Sequence, residues 1–553
     1  MGNYDAIIIG AGHNGLVTAG YLAKAGRKVL VLERRAVVGG AAVTEEILPG
    51  FKVSTVADGR GYLSAAVRRD LKLDSFVETI DSEVVAFSPQ PDGSHLTIYR
   101  DTAKTVQQIA RFSRADAEAY PKFIELMRAL AGIVGALGHM TPMDLPEVTF
   151  GDLRGAVGLL GPGRKLGRKR IPELLRILPM PAADILNEHF ESDVVKGAIG
   201  ANSSLAVSMG PQESGTAYTM LHFWAFSGNC LFRSAGVVKG GVGALCDAIA
   251  TAATGFGAEI RADTPVARIR VEDGRATGVE LESGEELAAS TVVSNADPRT
   301  TFNELLDPRT FGAKLQHHVA NIKYGGSGLR IHLALGGLPR FTCLSASDGD
   351  SSAQLGGPIQ IAPSLDYIER AYDCSKFGRF SDSPYLDVLI PSVLDPSAAP
   401  AGQHLMSVTA KYGPYELREG DWETQKEAFA DVAVNTLAEY APNIHDLVRQ
   451  RRVLSMPDLE SIYGLPEGNP NHGEMILNQF FHMRPIPGHA RYRTHIDGMY
   501  LCGAGCHPGG GVTGVPGHNA AREILKDSRR EFGLDRRRVR GSAGSLGLRS
   551  SRL

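Results

Sequence analysis

The sequence of 553 residues predicts an α/β fold with more than one domain, and three observations lead to this class. The chain is too long for one hydrophobic core, since a domain usually holds about 100 to 200 residues. It begins with an apolar strand, a glycine turn, an amphipathic helix and a second strand, all between Asp5 and Glu33. Near residue 500 an apolar strand again leads into a glycine-dense turn and a helix.

The overall composition excludes several classes of protein. Hydrophobic residues make up 43% and charged residues 22% of the chain, close to the soluble average, so a disordered, fibrous or multi-span membrane protein is not expected. The net charge of −3 provides no basic surface for a polyanion, so we predict no nucleic-acid partner. Six cysteines without a disulfide spacing, and residues 1–5 without a basic signal region, predict a cytoplasmic protein.

The end of the chain differs from the rest in charge. Residues 527–553 contain eight arginines but only three acids, Asp527, Glu531 and Asp535. Because a run of like charges repels itself and favours solvent, we predict a basic, disordered tail over these residues.

The first glycine turn has the spacing of a dinucleotide-binding fingerprint. Gly10 permits a tight turn, Gly12 leaves room for a pyrophosphate, and Gly15 lets the helix pack closely on the strand. Glu33, at the end of the second strand, is placed to bind a ribose diol. The alternative, an ordinary strand-helix-strand turn with incidental glycines, must explain all these spacings at once. The fingerprint therefore predicts a Rossmann-type domain but does not choose between FAD and NAD.

Two further motifs resemble known flavoproteins. The run from Glu33 to Ala41, with Gly39 and Gly40, is similar to the extended motif of FAD-binding amine oxidases and carotenoid desaturases. The run from Cys502 to Val515 is similar to the flavin-proximal motif of the phytoene desaturase superfamily. Within it the chain most resembles the branch of the pyridine nucleotide-disulfide oxidoreductase domain-containing protein 2 family, which is related to oxygenating carotene ketolases. A glycine-rich surface hairpin is the alternative for the second motif.

The resemblance implies bound FAD and a site built from distant segments. The residues it assigns to the cofactor are Gly10, Gly12, His13, Asn14, Gly15, Glu33, Arg34, Gly39, Gly40, Ala41, Val266, Gly503, Gly505, His507, Gly509, Gly514 and Val515. It implies a discontinuous Rossmann-type FAD-binding domain over residues 1–70, 231–300 and 455–526. An interleaved α+β substrate domain, with a helical insertion, is expected over residues 71–230 and 301–454.

The stretch between residues 71 and 230 shows mainly helical patterns, so we predict that the insertion is helical. It contains a basic run, Arg164, Lys165, Arg168, Lys169 and Arg170, before an apolar patch. This pattern is typical either of peripheral membrane contact beside a substrate entrance or of a solvated loop before a core helix.

The remaining candidate residues narrow the chemistry. Cys502, Cys506 and His507 have no second cluster with zinc spacing, so no metal is predicted. No second fingerprint for NAD(P)H is visible, which favours a flavin that takes hydride from a C–H bond and is reoxidised by oxygen or a quinone. His507 is the candidate catalytic base, and packing is the alternative role; Arg484 is expected to be a structural ion-pair partner.

Four functions compete. The resemblance favours an FAD-dependent dehydrogenase or desaturase for an apolar, isoprenoid or carotenoid-like small molecule. The alternatives are carotene ketolase-type oxygenation, a flavin amine oxidase, and an FAD-stabilised scaffold that binds protein partners. An amine oxidase would need an aromatic cage, and the chain has only two tryptophans, Trp224 and Trp422.

Overall fold

A computed structural model describes residues 4–57, 63–143, 170–205, 207–228, 231–344 and 352–544, with side chains as far as residue 529. The strands, in chain order, are β1 (Tyr4–Ile9), β2 (Val29–Leu32), β3 (Thr44–Leu48), β4 (Phe51–Ser54), β5 (Thr79–Asp81), β6 (Val84–Pro89), β7 (His95–Tyr99), β8 (Gly236–Val238), β9 (Glu259–Arg261), β10 (Val266–Glu272), β11 (Arg275–Leu281), β12 (Glu286–Ser294), β13 (Leu329–Leu335), β14 (Ile359–Ile361), β15 (Tyr385–Leu389), β16 (His404–Lys411), β17 (Val448–Leu454) and β18 (Met499–Leu501).

The α-helices are shorter on average than the predicted patterns, with two long exceptions, α4 and α18. They are α1 (His13–Lys24), α2 (Ala65–Asp70), α3 (Thr102–Ile109), α4 (Arg114–Gly138), α5 (Arg170–Ile177), α6 (Ala182–Asn187), α7 (Asp193–Gly200), α8 (Thr216–Ala225), α9 (Val242–Gly255), α10 (Pro298–Asn303), α11 (Ala313–Ala320), α12 (Ser352–Leu355), α13 (Leu365–Lys376), α14 (Pro391–Leu394), α15 (Trp422–Tyr440), α16 (Ile444–Leu447), α17 (Met456–Tyr463) and α18 (Val515–Gly544).

The first seven-stranded sheet carries the glycine motifs. Its order is β10-β11-β12-β1-β2-β9, with β18 also paired to β12. The core strands β12, β1, β2 and β9 run parallel, whereas β10 and β11 are antiparallel. β1 and β2 are almost wholly buried apolar runs, as expected for parallel strands covered on both faces. Helix α1 packs on α9 and α18, so both ends of the chain share one core.

The second sheet, also of seven strands, has the order β17-β13-β16-β15-β14-β6-β7. Its neighbours are antiparallel except for β14 and β6. The strands come from residues 84–99, 329–411 and 448–454, whereas those of the first sheet come from residues 4–32, 259–294 and 499–501. The predicted α/β class is confirmed, and the division into two domains at the predicted boundaries stays a prediction.

The region expected to be helical contains strands as well. Three strands, β5, β6 and β7, lie between residues 79 and 99. The physical reason is local: β6 is rich in valine and phenylalanine, every residue of β6 is buried, and the turn before β7 contains Asp92-Gly93. Beyond them the insertion is helical, with α4 packed on α3 and α8.

Two predicted surface features fall partly outside the described residues. Arg164, Lys165, Arg168 and Lys169 lie there, while Arg170 begins α5 and forms an ion pair with Glu173. Helix α18 continues to Gly544, so it does not end at the boundary expected at residue 527. None of the described helices is long and apolar enough to cross a bilayer.

The contact between α1 and α18 leads to a first prediction. A β-carbon added to Gly517 would lie 2.2 Å from the backbone oxygen of Asn14, and neither backbone has room to move. We expect Gly517→Ala to lower the free energy of unfolding by about 1 to 3 kcal/mol, measured by urea titration. The matched control is Gly132→Ala on the exposed face of α4, where no atom lies within 4 Å of the new methyl group. Because alanine favours a helix, the control should be neutral or stabilising, and equal losses in both variants would contradict the packing argument.

Candidate cofactor and active site

The first glycine turn brings α1 directly onto β1. The N–H of Gly10 donates to Leu32 O at 2.7 Å, and the φ of Gly10 is +95°. A β-carbon on Gly15 would lie 2.3 Å from Gly10 O. Only glycine at both positions therefore allows this strand-to-helix turn.

The N-terminus of α1 is open to a ligand. Gly12 precedes the helix, and no side chain caps it. The first N–H groups of a helix lack partners within the helix, and they lie at the positive end of its dipole. Two buried atoms near this end, His13 Nε2 and Asn14 Oδ1, have no hydrogen-bond partner among the described residues. These features fit a pyrophosphate group at the turn.

Glu33 follows β2 and is only 6% exposed. Its Oε2 accepts from the N–H of Ala11 at 2.7 Å, and its Oε1 accepts from the N–H of Arg35 at 3.0 Å. A carboxylate has about four acceptor positions, so these two bonds fix its orientation and leave positions for a ribose diol. The N–H of Thr264 donates to Glu33 O at 2.8 Å, which places the start of β10 at Val266 close to the acid.

The extended motif folds back on the first turn. The N–H of Gly39 donates to Ala11 O at 2.9 Å, and Gly39 forms an isolated parallel bridge with Gly12. A β-carbon on Gly40 would lie 3.3 Å from the α-carbon of Gly12. The chain then reaches Ala41, which lines the internal cavity described below. Arg34, by contrast, is exposed.

The C-terminal glycine loop closes over the same region. β-carbons on Gly503 and Gly505 would lie 2.8 Å from Asn295 O and 2.6 Å from Pro298 Cδ. Gly509 and Gly514 have φ values of +120° and +69°, and Val515 begins α18 immediately afterwards. The two predicted motifs are therefore neighbours in space, although about 490 residues separate them in the chain.

His507 lies in this loop but faces away from the cavity. Its side chain is fully buried, and its Nε2 lies 3.0 Å from Leu137 O in α4. Burial lowers the pKa of His507 to about 3, which keeps the ring neutral at ordinary pH. The described cavity is lined by two other histidines, His13 and His222. The catalytic role of His507 stays a prediction.

Arg484 is not the ion-pair partner that we expected. Its guanidinium is fully buried and donates to backbone oxygens, with Asn471 O at 2.6 Å and Ala504 O at 3.0 Å. Further bonds to Glu474 O and Gly473 O tie the loop at residues 471–474 to the C-terminal glycine loop. Carbonyl oxygens, which carry partial negative charge, replace the carboxylate.

The cavity lies where the glycine loops meet the second sheet. On the cofactor side it is bounded by His13, Ala41, Ala42 and residues 510–513. Opposite them, Arg330, Thr409 and Asp387 form a row across β13, β16 and β15, because Thr409 pairs with both of the others. The remaining lining side chains include Leu205, His222, Phe223, Phe226, Arg233, Tyr385, Lys411 and Asn471.

The polar wall of the cavity contains a buried ion pair. Arg233 donates to both carboxylate oxygens of Asp387, at 2.9 and 2.7 Å, and the two side chains are 5% and 6% exposed. Such a bidentate pair fixes both groups rigidly. Sequence reasoning missed Arg233, Arg330, Asp387 and Lys411, because no spacing in the chain marks residues that only the sheet register brings together.

Comparison with known proteins follows from this geometry. Residues 8–59 match the NAD(P)-binding Rossmann-like domain, and residues 187–525 match flavin containing amine oxidoreductase. The second match covers more than half of the chain. The chain belongs to the flavin-containing amine oxidoreductase family.

Members of the same superfamily match over nearly their full length. Pyridine nucleotide-disulfide oxidoreductase domain-containing protein 2 of Rattus norvegicus is 36% identical over 548 residues, covering 95% of this chain and 94% of the rat protein. A limonene dehydrogenase polypeptide of Castellaniella defragrans is 29% identical, with 95% and 94% covered. Phytoene desaturase (neurosporene-forming) of Rhodobacter capsulatus is 28% identical, with 93% and 92% covered. These matches confirm the resemblance predicted from the motifs.

The fold of this family is confirmed by a solved structure. Wild-type putrescine oxidase bound to putrescine superposes with a TM-score of 0.61 at 14% identity, covering 96% of this chain and 99% of that one. Membership in the family makes FAD the cofactor and the chain an FAD-dependent oxidoreductase. The open end of α1 and the placement of Glu33 fit this cofactor.

The geometry of Glu33 gives a second prediction. Glu33→Gln keeps the shape of the side chain but removes the charge that strengthens its hydrogen bonds, a loss of about 1.5 to 3 kcal/mol. We expect the dissociation constant of FAD to rise roughly 10- to 100-fold, measured by titration of the apoprotein with quenching of flavin fluorescence. Glu304→Gln, at an exposed position after α10, is the matched control. Unchanged FAD affinity in Glu33→Gln would remove the ribose contact.

Buried neutral histidines give a third prediction. Burial lowers the pKa of His13, His222 and His332 to about 4, and that of His507 to about 3. In the unfolded chain these rings take up protons near pH 6.5, so folding stability is complete above that pH and falls below it. Each ring contributes a loss of up to about 3 kcal/mol by pH 4.

Urea unfolding of the holoprotein at pH 7.5, 6.0 and 5.0 measures this dependence. We expect His332→Gln to flatten the decline by close to one proton, whereas His317→Gln, on the exposed face of α11, should leave the slope as it is. A stability that does not change between pH 7.5 and 5.0 would contradict the neutral state of these rings.

Proposed function

We propose that the protein is an FAD-dependent dehydrogenase or desaturase that removes hydride from a C–H bond of an apolar, isoprenoid-type small molecule. The observation that carries the proposal is the cavity between the cofactor loops and the second sheet. FAD, when bound, supplies the hydride acceptor. Ala41, Ala42, Leu205, Phe223 and Phe226 give the cavity apolar walls that hold a hydrocarbon and exclude water.

The names of two relatives support this substrate class. Limonene and phytoene are both isoprenoid hydrocarbons, and the corresponding enzymes are similar to this chain over more than nine-tenths of its length. Removal of hydride from such a molecule needs no charged substrate group. The chain therefore needs only to bind the skeleton, orient one C–H bond and accept a neighbouring proton.

A small cationic amine is a weaker candidate substrate. The cavity wall carries the basic side chains of Arg233, Arg330 and Lys411 but the acidic side chain of Asp387 alone. This charge distribution repels an ammonium group, and Asp387 is already paired with Arg233. The likeness to putrescine oxidase concerns the fold.

The other expectations remain part of the proposal. Ketolase-type oxygenation would add an oxygen atom to the product, and a scaffold would hold flavin that no substrate reduces. Oxygen or a quinone is the proposed acceptor that reoxidises the flavin. A cytoplasmic location, peripheral membrane contact and a protein partner likewise stay predictions from the sequence.

Anaerobic spectroscopy tests the proposed function as a fourth prediction. We expect limonene-loaded or phytoene-loaded phosphatidylcholine vesicles to bleach the oxidised flavin band of the holoprotein, because their C–H bonds supply hydride. Empty vesicles and putrescine are the controls and should leave the band unchanged. A product lighter by two hydrogen atoms identifies dehydrogenation, whereas an added oxygen identifies the ketolase reaction. Bleaching by putrescine alone would overturn the proposal in favour of an amine oxidase.

A further inference from the structure

Lys411 is a buried amine on the wall of the cavity. It is the last residue of β16, and its side chain is 5% exposed. Thr409 lines the same cavity two residues earlier, as the alternation of a strand requires. Lysine is rarely buried unless it is paired with an acid. Among the described residues, however, no carboxylate forms an ion pair with Lys411.

Two backbone oxygens hold the amine instead. Lys411 Nζ donates to Val207 O at 2.9 Å and to Ser204 O, at the end of the 3₁₀ helix Ala201–Ser204. A neutral amine has two N–H groups and one lone pair. Because the two oxygens engage the two N–H groups, the lone pair is left at the remaining position around Nζ, on a side chain that borders the cavity.

The charges around Nζ come from several elements. Arg330 on β13 opposes a proton on the amine, while Asp387 on β15 and Glu474 favour one. Burial is the largest influence, and together these effects lower the pKa of Lys411 to about 7. The other titratable groups close to it are Arg233, which is paired with Asp387, and the neutral side chains Tyr385, Tyr412 and His222.

We propose that Lys411 Nζ is the catalytic base of the reaction, accepting the proton that the substrate loses beside the carbon that gives up hydride. This proposal rests on the proposed function and deepens it. The C–H bond at one carbon breaks with both electrons leaving as hydride to the oxidised flavin. The C–H pair of the adjacent carbon becomes the new C=C bond, and its proton becomes the third N–H of the Lys411 ammonium.

Other groups on the cavity wall are less suited to this step. The carboxylate of Asp387 is held on both oxygens by Arg233. His222 places its Nε2 3.3 Å from Gly510 O, and its low pKa makes it a weak base. His507 does not line the cavity. An amine that is half protonated near neutral pH is matched to taking up one proton per turnover.

The first experiment, a fifth prediction, compares rates of flavin reduction in the holoprotein. Anaerobic stopped-flow mixing with limonene-loaded vesicles is carried out from pH 5.5 to 9 on wild type, Lys411→Met, Lys411→Arg and the exposed control Lys122→Met on α4. We expect the wild-type and control rates to rise about tenfold per unit up to pH 7 and then level off. Both Lys411 variants should be at least about 100-fold slower and should lose this rise, because neither accepts a proton.

A retained pH profile or a rate within threefold of wild type in Lys411→Met would overturn the proposal. Bound flavin and thermal unfolding of each variant show whether the variant folds. If Lys411→Met does not fold, Lys411→Arg, which keeps the length and charge of the side chain, decides the outcome by the same criteria.

A second measurement needs no substrate, so it separates this proposal from the proposed function. Competitive labelling of the holoprotein with trace acetic anhydride, read by mass spectrometry of the peptide that contains Lys411, follows the neutral amine as pH changes. A labelling midpoint near pH 7 for Lys411, with Lys122 in the same sample titrating near its ordinary value, supports the base. A midpoint for Lys411 above about 9, or a Lys411 that is not labelled at any pH while Lys122 is, would overturn the proposal even if limonene reduces the flavin.

Discussion

The close approach of backbone to backbone around the first glycine turn is the constraint on which the rest of the site depends. Gly15 sets α1 on β1, and Gly517 sets α18 on α1. A side chain at either position would separate these elements by more than their packing allows. The extended motif, the C-terminal loop and the cavity all take their positions from this layer.

Local patterns allowed the cofactor part of the fold to be predicted from the sequence. The strand, turn, helix and acid between Asp5 and Glu33 fall in one short segment, and the spacing of their residues carries the chemistry directly. The strands β6 and β7 were missed within a stretch with helical patterns. Their stability comes from pairing across the second sheet, which no local period reports.

The polar wall of the site was beyond prediction for the same reason. Arg233, Arg330, Asp387 and Lys411 lie in four separate segments, and only the register of β13, β15 and β16 places them together. The opposite error concerns His507, whose motif suggested proximity to the flavin while its ring turns toward α4. A motif locates the backbone of a loop, but packing decides where each side chain points.

The network around Arg484 links the order of synthesis to cofactor capture. Its guanidinium joins residues 471–474 to the loop at Ala504, and that loop lies over the turn at residues 10–15. During translation the first turn leaves the ribosome hundreds of residues before its counterpart. The nascent chain therefore carries an unfinished nucleotide pocket until its last segment emerges, and free FAD in the cell bears on the yield of folded protein.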